Sequence, residues 1–297
     1  MSPASHTHSP RLLSGAARLG GVVGSPIAHS LSPRLHGAWL AAMGLDAAYV
    51  PLAPTEDGFE RLIEGLRGGV FAGLNVTLPF KERALHLADQ ADPSARMAGA
   101  ANLLLFHKDG VIEARNTDGA GLLYALKRQA PHWSPDLGPV TILGAGGAAR
   151  GAVAALSLAG ARDIRILNRT ESRADAIAAL LPCRAFGWGS QEQAFDGAMT
   201  LINATSGQLT ENSHLPLPAQ ASGKDAVAMD MVYTPLRTGF LADCEARGFA
   251  TVDGLDMLIG QARPSFEAIF NRAVPDDIDI RALLLSALER RSQELQK

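Results

Sequence analysis

The sequence predicts an α/β protein of two α/β domains, the first with a mixed sheet and the second doubly wound. Three observations carry this expectation. At 297 residues the chain has room for two domains of about 150 residues each. Short aliphatic strand signals alternate with Ala/Leu-rich stretches of helical period, the pattern of parallel strands covered by helices. A Pro-, Gly- and Asp-rich stretch, 131–139, then gives way to an apolar run entering Gly144-Ala145-Gly146-Gly147-Ala148, where a second unit begins.

In chain order, strands are expected at 21–23, 49–52, 71–78, 102–106, 140–143, 164–167, 200–203 and 226–231. Helices are expected at 33–43, 82–88, 119–129 and 148–159. A hairpin, 103–106 and 111–114 around the turn His107-Lys108-Asp109-Gly110, makes the first sheet mixed. From Asp276 onward, Ile278, Ile280, Leu283, Leu284, Leu285 and Leu288 spell an amphipathic helix opened by acids, which could cross back onto the first domain. The first domain is therefore placed at 18–118, completed by 255–297, and the second at 119–254.

Composition narrows the function. With 47% hydrophobic and 19% charged residues the chain can bury a sizeable core. Its 27 Lys and Arg against 30 Asp and Glu leave −3, which offers no field for nucleic acid. No apolar run approaches the ~18 residues of a membrane span, and residues 1–17 read as a loose tail without a secretory signal. Two cysteines, Cys183 and Cys244, are too few for a disulfide framework and suit a reducing cytoplasm; neither has a base beside it. The eight histidines show no metal-ligand spacing, so no metal is expected, and His29 and His36 are read as packing or hydrogen-bonding groups.

The glycine run has the context that a dinucleotide fingerprint needs: a buried strand before it, Gly144, Gly146 and Ala149 at the three positions, and an Ala-rich helix after it. Such a turn brings backbone N–H groups up to a pyrophosphate; it could also be a plain strand-to-helix link. The next strand ends in Asn168-Arg169-Thr170, with Arg173 one turn on and no acid to accept from a ribose 2′-OH. Arg169, with Thr170 and Arg173, can pair with a 2′-phosphate, which favours NADP over NAD, unless these arginines are solvated surface charges.

Three patterns in the first domain carry chemistry. Ser32 before Pro33 reads as an N-cap, and with Ser30 it places two hydroxyls at a helix N-terminus, a cradle for a small carboxylate or polyol, or simply a cap. In 75–81 a strand carrying Asn75 and Thr77 ends at Pro79, which is expected to open a helix with Lys81 in its first turn. The helix N-terminus disfavours that positive charge and can ready the lysine for proton transfer, although an exposed helix lysine beside Glu82 is the plain alternative. In 116–119, Asp118 opens a further helix; it would orient the Lys81 ammonium if the two meet, or is an ordinary acidic first turn.

With these residues in hand, 24–36 resembles the N-terminal signature of shikimate dehydrogenases. The stretches 75–81, 116–119, 144–150, 168–170, 203–206, 230–233 and 254–262 match that family in the same order, so the resemblance spans about residues 20 to 270. It implies NADP-linked, reversible reduction of 3-dehydroshikimate to shikimate in aromatic amino acid biosynthesis, with Lys81 and Asp118 as the catalytic pair. It implies substrate contacts from Ser30, Ser32, Thr77, Asn102, Asp118, Tyr233 and Gln261. NADP would be held by Gly144, Ala145, Gly146, Gly147, Ala148, Asn168, Arg169, Thr170, Arg173, Met231 and Gly254. A monomer or homodimer is expected. Gly37, Ala101, Leu103 and Asp256 depart from the family pattern; Asp256 replaces a usual Gly and is expected to face solvent, because an unpaired buried carboxylate is costly. Two other readings are a quinate/shikimate dehydrogenase of broader substrate and cofactor use, and a non-catalytic NADP-binding sensor.

Overall fold

The computed structural model describes residues 12–205, 217 and 225–295. His6, His8, most of the N-terminal tail and Ser206 lie outside the described residues. The first lobe comprises β1 (Arg18–Val23), α1 (Ser32–Ala42), β2 (Ala47–Leu52), α2 (Phe59–Gly65), β3 (Gly73–Val76), α3 (Lys81–Leu87), β4 (Gln90–Ala91), α4 (Pro93–Ala98), β5 (Leu103–Phe106) and β6 (Ile112–Arg115). Next come α5 (Asp118–Gln129), β7 (Val140–Leu143), α6 (Gly147–Ala159), β8 (Ile164–Asn168), α7 (Glu171–Ala178), β9 (Arg184–Gly187), α8 (Gln191–Phe195), β10 (Thr200–Asn203), β11 (Val227–Asp230), α9 (Gly239–Ala246) and β12 (Ala250–Val252). Helices α10 (Leu255–Phe270) and α11 (Ile280–Leu295) complete the chain.

The first sheet runs β2-β1-β3-β5-β6-β4. It is parallel at β2-β1-β3 and at β6-β4, and antiparallel through the β5–β6 hairpin, where Phe106 faces Ile112. Successive residues of each strand face opposite sides, and both sides are apolar. Val23, Leu74, Val76 and Leu104 pack on Phe59, Ile63 and Phe80, while Val22, Leu103 and Leu105 pack on Leu35, Trp39, Phe266, Ile269 and Leu284. The second group shows that α10 and α11 return to the first lobe. Helix α11 begins at Ile280, four residues after the acidic start read from the sequence; Asp279 accepts from the Ala282 N–H at 3.0 Å at its entrance.

The second sheet is parallel throughout, β12-β11-β10-β7-β8-β9. Its strand order reverses between β7 and β10, the switch point where such sheets open a crevice at their carboxyl ends. Strands β4, β9 and β12 have no counterpart in the sequence reading; all lie at or next to sheet edges and carry three or fewer apolar residues each. Helices α5 and α10 cross between the lobes at close range. A Cβ on Gly121 would sit 2.4 Å from the Met257 carbonyl, and one on Gly260 2.5 Å from the Tyr124 Cβ, so side chains are excluded where the backbones approach.

Candidate active site

In the first sheet the order reverses at β1, which lies between β2 and β3, so the loops after β1 and β3 leave the same edge side by side. They are tied together: Thr77 N–H donates to the Val23 carbonyl at 2.9 Å and Ser25 N–H to the Leu78 carbonyl at 3.1 Å. A Cβ on Gly24 would meet Thr77 Cγ2 at 2.4 Å, so the approach of the two loops depends on glycine. The half-buried Ser30 accepts from the Ser32 N–H at 3.2 Å, and Ser32 is buried.

Two expectations about helix starts are corrected. Ser32 is the first residue of α1 and not its N-cap, because Leu31 already has helical dihedrals (φ −86°, ψ −8°), and no side chain caps this end. Pro79 does not open α3. It follows a cis peptide, Phe80 N–H closes a turn onto the Thr77 carbonyl at 3.0 Å, and the helix starts at Lys81. Phe80, fully buried and stacked on Phe59 with centroids 4.3 Å apart, fixes the position of that start.

Lys81 and Asp118 meet. Nζ lies 2.6 Å from Asp118 Oδ2, with side chains 27% and 23% exposed, covered enough to be oriented and open enough to touch a ligand. Asp118 is the first residue of α5; its N–H donates to Asn116 Oδ1 at 3.0 Å, and its second oxygen accepts from Asn102 Nδ2 at 2.8 Å. Asn102 is buried, and its amide is engaged inside the protein: Oδ1 accepts from the Thr117 N–H at 2.7 Å, and Nδ2 also donates to Thr117 Oγ1 at 2.9 Å. Behind it, Asn75 Nδ2 donates to the Asn102 carbonyl at 3.1 Å and to Ser265 Oγ at 2.9 Å, and Asn75 Oδ1 accepts from Tyr49 at 2.8 Å. Tyr49, Ser265 and Thr117 were not singled out from sequence. The available signal was a hydroxyl or amide set among apolar neighbours, as in Leu74-Asn75-Val76, and Ser265 one turn after Gln261 on the same helix face.

Gln261 approaches from α10. Its Nε2 donates to the Leu258 carbonyl at 3.0 Å, and its Oε1 lies 3.4 Å from both Thr117 Oγ1 and Asn102 Nδ2. Tyr233, on the loop after β11, reaches the serine loop, where the Leu31 N–H faces its hydroxyl; burial pushes that phenol up, and the Arg291 charge partly opposes the shift. Arg291 of α11 also donates to the His29 carbonyl at 3.3 Å and touches the His29 ring, so the residues on both sides of Ser30 are held from other elements. Both serine-flanking histidines pack or hydrogen-bond as expected, His36 being fully buried against Tyr49.

At the second switch point, Gly144 has φ +104°, and a Cβ there would lie 3.1 Å from the Ala204 carbonyl of the β10 exit. Gly146 and Gly147 face open space, Ala145 is half-buried, Ala148 is exposed, and Ala149 is buried where α6 packs on the sheet. Asn168 Nδ2 donates to the Thr170 carbonyl at 2.8 Å, shaping the end of β8, and Arg169, Thr170 and Arg173 are exposed beside it. Gly254 lies against the far edge of the cleft: a Cβ would be 2.6 Å from the Met231 carbonyl and 2.5 Å from that of Val232. The loop carrying Met231 and Tyr233 is anchored by buried Asp230, which accepts from Thr238 Oγ1 at 2.7 Å, Asn203 Nδ2 at 3.0 Å and the Val232 N–H at 3.2 Å; burial raises its carboxyl. The open glycine turn and the bare cationic strand end fit a 2′-phosphorylated dinucleotide.

Asp256 is the third correction. It is 1% exposed and lies 3.0 Å from Arg281 and 3.5 Å from Arg128, away from solvent, and burial raises its carboxyl. Two arginines supply the partner whose absence would have made burial costly. Cys183 is half-buried and Cys244 buried, and burial pushes the Cys244 thiol up to about 12, so neither is a ready thiolate. Among the described residues no helix is long and apolar enough to cross a membrane, and no three His, Cys, Asp or Glu side chains gather to hold a metal.

Comparison with known proteins places the chain in a family. Residues 22–104 match the family described as shikimate dehydrogenase substrate binding domain, and residues 132–209 the family shikimate / quinate 5-dehydrogenase. The chain is 54% identical over 278 residues to the shikimate dehydrogenase (NADP(+)) of Caulobacter vibrioides, covering 93% of this chain and 98% of that one. Among solved structures it resembles 5-ketofructose reductase of Gluconobacter sp. in ligand-free form (TM-score 0.82, 33% identity, 93% of this chain and 100% of that one). It also resembles shikimate 5-dehydrogenase of Thermus thermophilus in complex with NADP(H) and shikimate (TM-score 0.78, 36% identity, 87% and 95%).

Proposed function

This chain belongs to the shikimate dehydrogenase family, and from that premise we propose how its residues carry out the reaction. The activity is the NADP-dependent, reversible reduction of 3-dehydroshikimate to shikimate. The observation that supports the assignment of roles is the 2.6 Å contact between Lys81 and Asp118 at the meeting of the lobes, beside the serine loop. NADP, when bound, supplies or accepts the hydride.

Lys81 gives a proton to the oxygen of the ketone as it becomes an alkoxide, and takes it from the hydroxyl in the reverse direction. Asp118 holds the ammonium on that oxygen and accepts from a neighbouring substrate hydroxyl. Ser30, Ser32 and Tyr233 bind the carboxylate at the far side of the ring, which fixes the ring carbon presented to the cofactor. Thr77 and Gln261 line the ring between these ends, and Asn102 stands behind them with its amide held by Thr117 and Asp118. Gly144, Ala145, Gly146, Gly147 and Ala148 would hold the pyrophosphate of NADP, Asn168, Arg169, Thr170 and Arg173 its 2′-phosphate, and Met231 and Gly254 its nicotinamide end. The working division is a substrate lobe of 18–118 completed by 255–297, and an NADP lobe of 119–254. The enzyme works in the cytoplasm as a monomer or homodimer.

Lys81→Ala is expected to lower kcat by about 10²–10⁴, with a smaller change in KM. A variant keeping kcat within a few-fold of the parent would remove Lys81 from this role. Initial rates with shikimate against quinate, and with NADP against NAD, measure how strictly both are chosen.

A further inference from the structure

The oxygen of Asp118 that does not face Lys81 has one side-chain donor, the Asn102 amide, at 2.8 Å. That amide is held in one sense only. Its oxygen takes the Thr117 N–H at 2.7 Å; rotated by half a turn, it would set an NH₂ against that N–H and a carbonyl oxygen against a carboxylate. Its two hydrogens are both used, on Asp118 Oδ1 and on Thr117 Oγ1 at 2.9 Å. Thr117 Oγ1 in turn lies 3.2 Å from Ser265 Oγ, and Ser265 is fully buried, accepts from Asn75 at 2.9 Å and donates to the Gln261 carbonyl at 3.1 Å. The chain of hydroxyls and amides thus runs from α10 through the β3 and β5 strand ends to the first residue of α5, closed at each step.

We propose that the buried hydroxyl pair Thr117 and Ser265 is a positioning device for the reaction, locking the Asn102 amide so that it aims the Asp118 carboxylate at Lys81 and substrate. The pair acts through Asp118 and touches neither ligand; the proposal rests on the acid–base reading of Lys81 and Asp118 given above. Ser265 also couples α10, which carries Gln261, to the same carboxylate, so that one polar network sets groups on both walls of the cleft.

Thr117→Val removes the hydroxyl while keeping the shape, and Thr117→Ser keeps the hydroxyl while losing a methyl group. With the full-length enzyme, Thr117→Val should lower kcat about tenfold and leave KM for shikimate and for NADP within about twofold, the signature of a misaimed group. Thr117→Ser should recover most of that loss even where its melting temperature falls further, since packing follows the methyl and aiming follows the hydroxyl. Ser265→Ala should repeat the kcat loss in milder form. Combined with Asp118→Asn, Thr117→Val should cost nothing more, because it acts through the group already removed. Equal kcat losses in the Val and Ser variants, a loss seen in KM alone, an unaltered kcat in Thr117→Val, or an additive double variant would each overturn the proposal. Lys81→Ala measured alongside keeps the two readings apart: an active Lys81→Ala enzyme defeats the acid–base assignment, whereas these four outcomes defeat only the positioning role.

Discussion

Two acids stand in the first turns of the two crossing helices, Asp118 in α5 and Asp256 in α10, and each meets a cation from a different element. At the cleft, Asp118 has both oxygens hydrogen-bonded, to Lys81 and Asn102, and a side chain 23% exposed. At the rear, Asp256 is 1% exposed; Arg281 Nη1 is 3.0 Å away, yet neither oxygen meets a donor in good hydrogen-bond geometry. Asp253 takes the better-aligned part of the same arginine, accepting from Nη1 at 3.1 Å and also from Nη2. Helix position and charge pairing alone therefore do not distinguish the carboxylate proposed to react. What separates the two in the structure is access to solvent together with hydrogen bonds to both oxygens.

Removing one partner from each node should sharpen that contrast most. Asp118→Asn is expected to lower kcat by about 10²–10⁴ while leaving unfolding by urea little changed. Arg281→Ala should do the reverse, with kcat within about threefold and stability lower by about 3 kcal/mol, because a buried carboxylate loses its nearer cation. The Asp256 carboxyl titrates above its unfolded value, so the folded state holds its proton longer and stability falls as pH rises through that window. The Arg281→Ala deficit should accordingly be largest at neutral pH and shrink toward about pH 4, as read from urea midpoints. If Arg281→Ala instead lost activity at full stability, the rear node would belong to the site.

The cleft node was more legible in the sequence than the rear one for a physical reason. Lys81, Asp118 and the serines sit at strand-to-helix junctions, where local rules place a side chain at the mouth of a sheet, and all three junctions follow strands of the first sheet. Asp256 lies in the same kind of junction, but its partners, Arg281 and Arg128, come from elements 25 and 128 positions away in a sense no local rule reports. The inward turn of Asp256 depends on where α11 docks, which amphipathic periodicity leaves open. The same limit applies to Ser265 and Tyr49, whose roles exist only once α10 has returned to the first sheet. Strand ends were readable to within three residues, while β4, β9 and β12 were missed because edge strands this short lack a buried apolar run.

Arg169 extends the comparison to a cation with no acid of its own. It is exposed and forms no ion pair among the described residues, unlike Lys81 and Arg281, so its charge is free for an anion from outside. Arg169→Ala should raise KM for NADP by about 10–100-fold, the worth of a charge-assisted hydrogen bond to phosphate, and leave KM for shikimate within about twofold. An unchanged KM for NADP would return Arg169 to the solvated surface.

The smallest expected effect concerns a group in which charge is forbidden instead of paired. His36 is fully buried, stacked on Tyr49 with ring centroids 3.9 Å apart, and burial lowers its pKa from 6.5 to about 3. Neither ring nitrogen has a hydrogen-bond partner among the described residues, so nothing compensates a proton there. Because the folded value lies below the unfolded one, the unfolded chain takes up the proton first as pH falls. The stabilisation is whole above about pH 6.5 and drains away down to about pH 3. At pH 5 the loss is about 2 kcal/mol, 1.36 kcal/mol for each pH unit below the unfolded value. His36→Phe keeps an aromatic face on Tyr49 and removes the titration, so between pH 7.5 and 5 the parent should lose about 2 kcal/mol more than the variant in urea unfolding. Parallel losses in the two proteins would assign the acid sensitivity elsewhere. Since Tyr49 holds Asn75, and Asn75 holds the Asn102 strand end, a proton forced onto His36 would loosen the wall from which the cleft carboxylate is aimed.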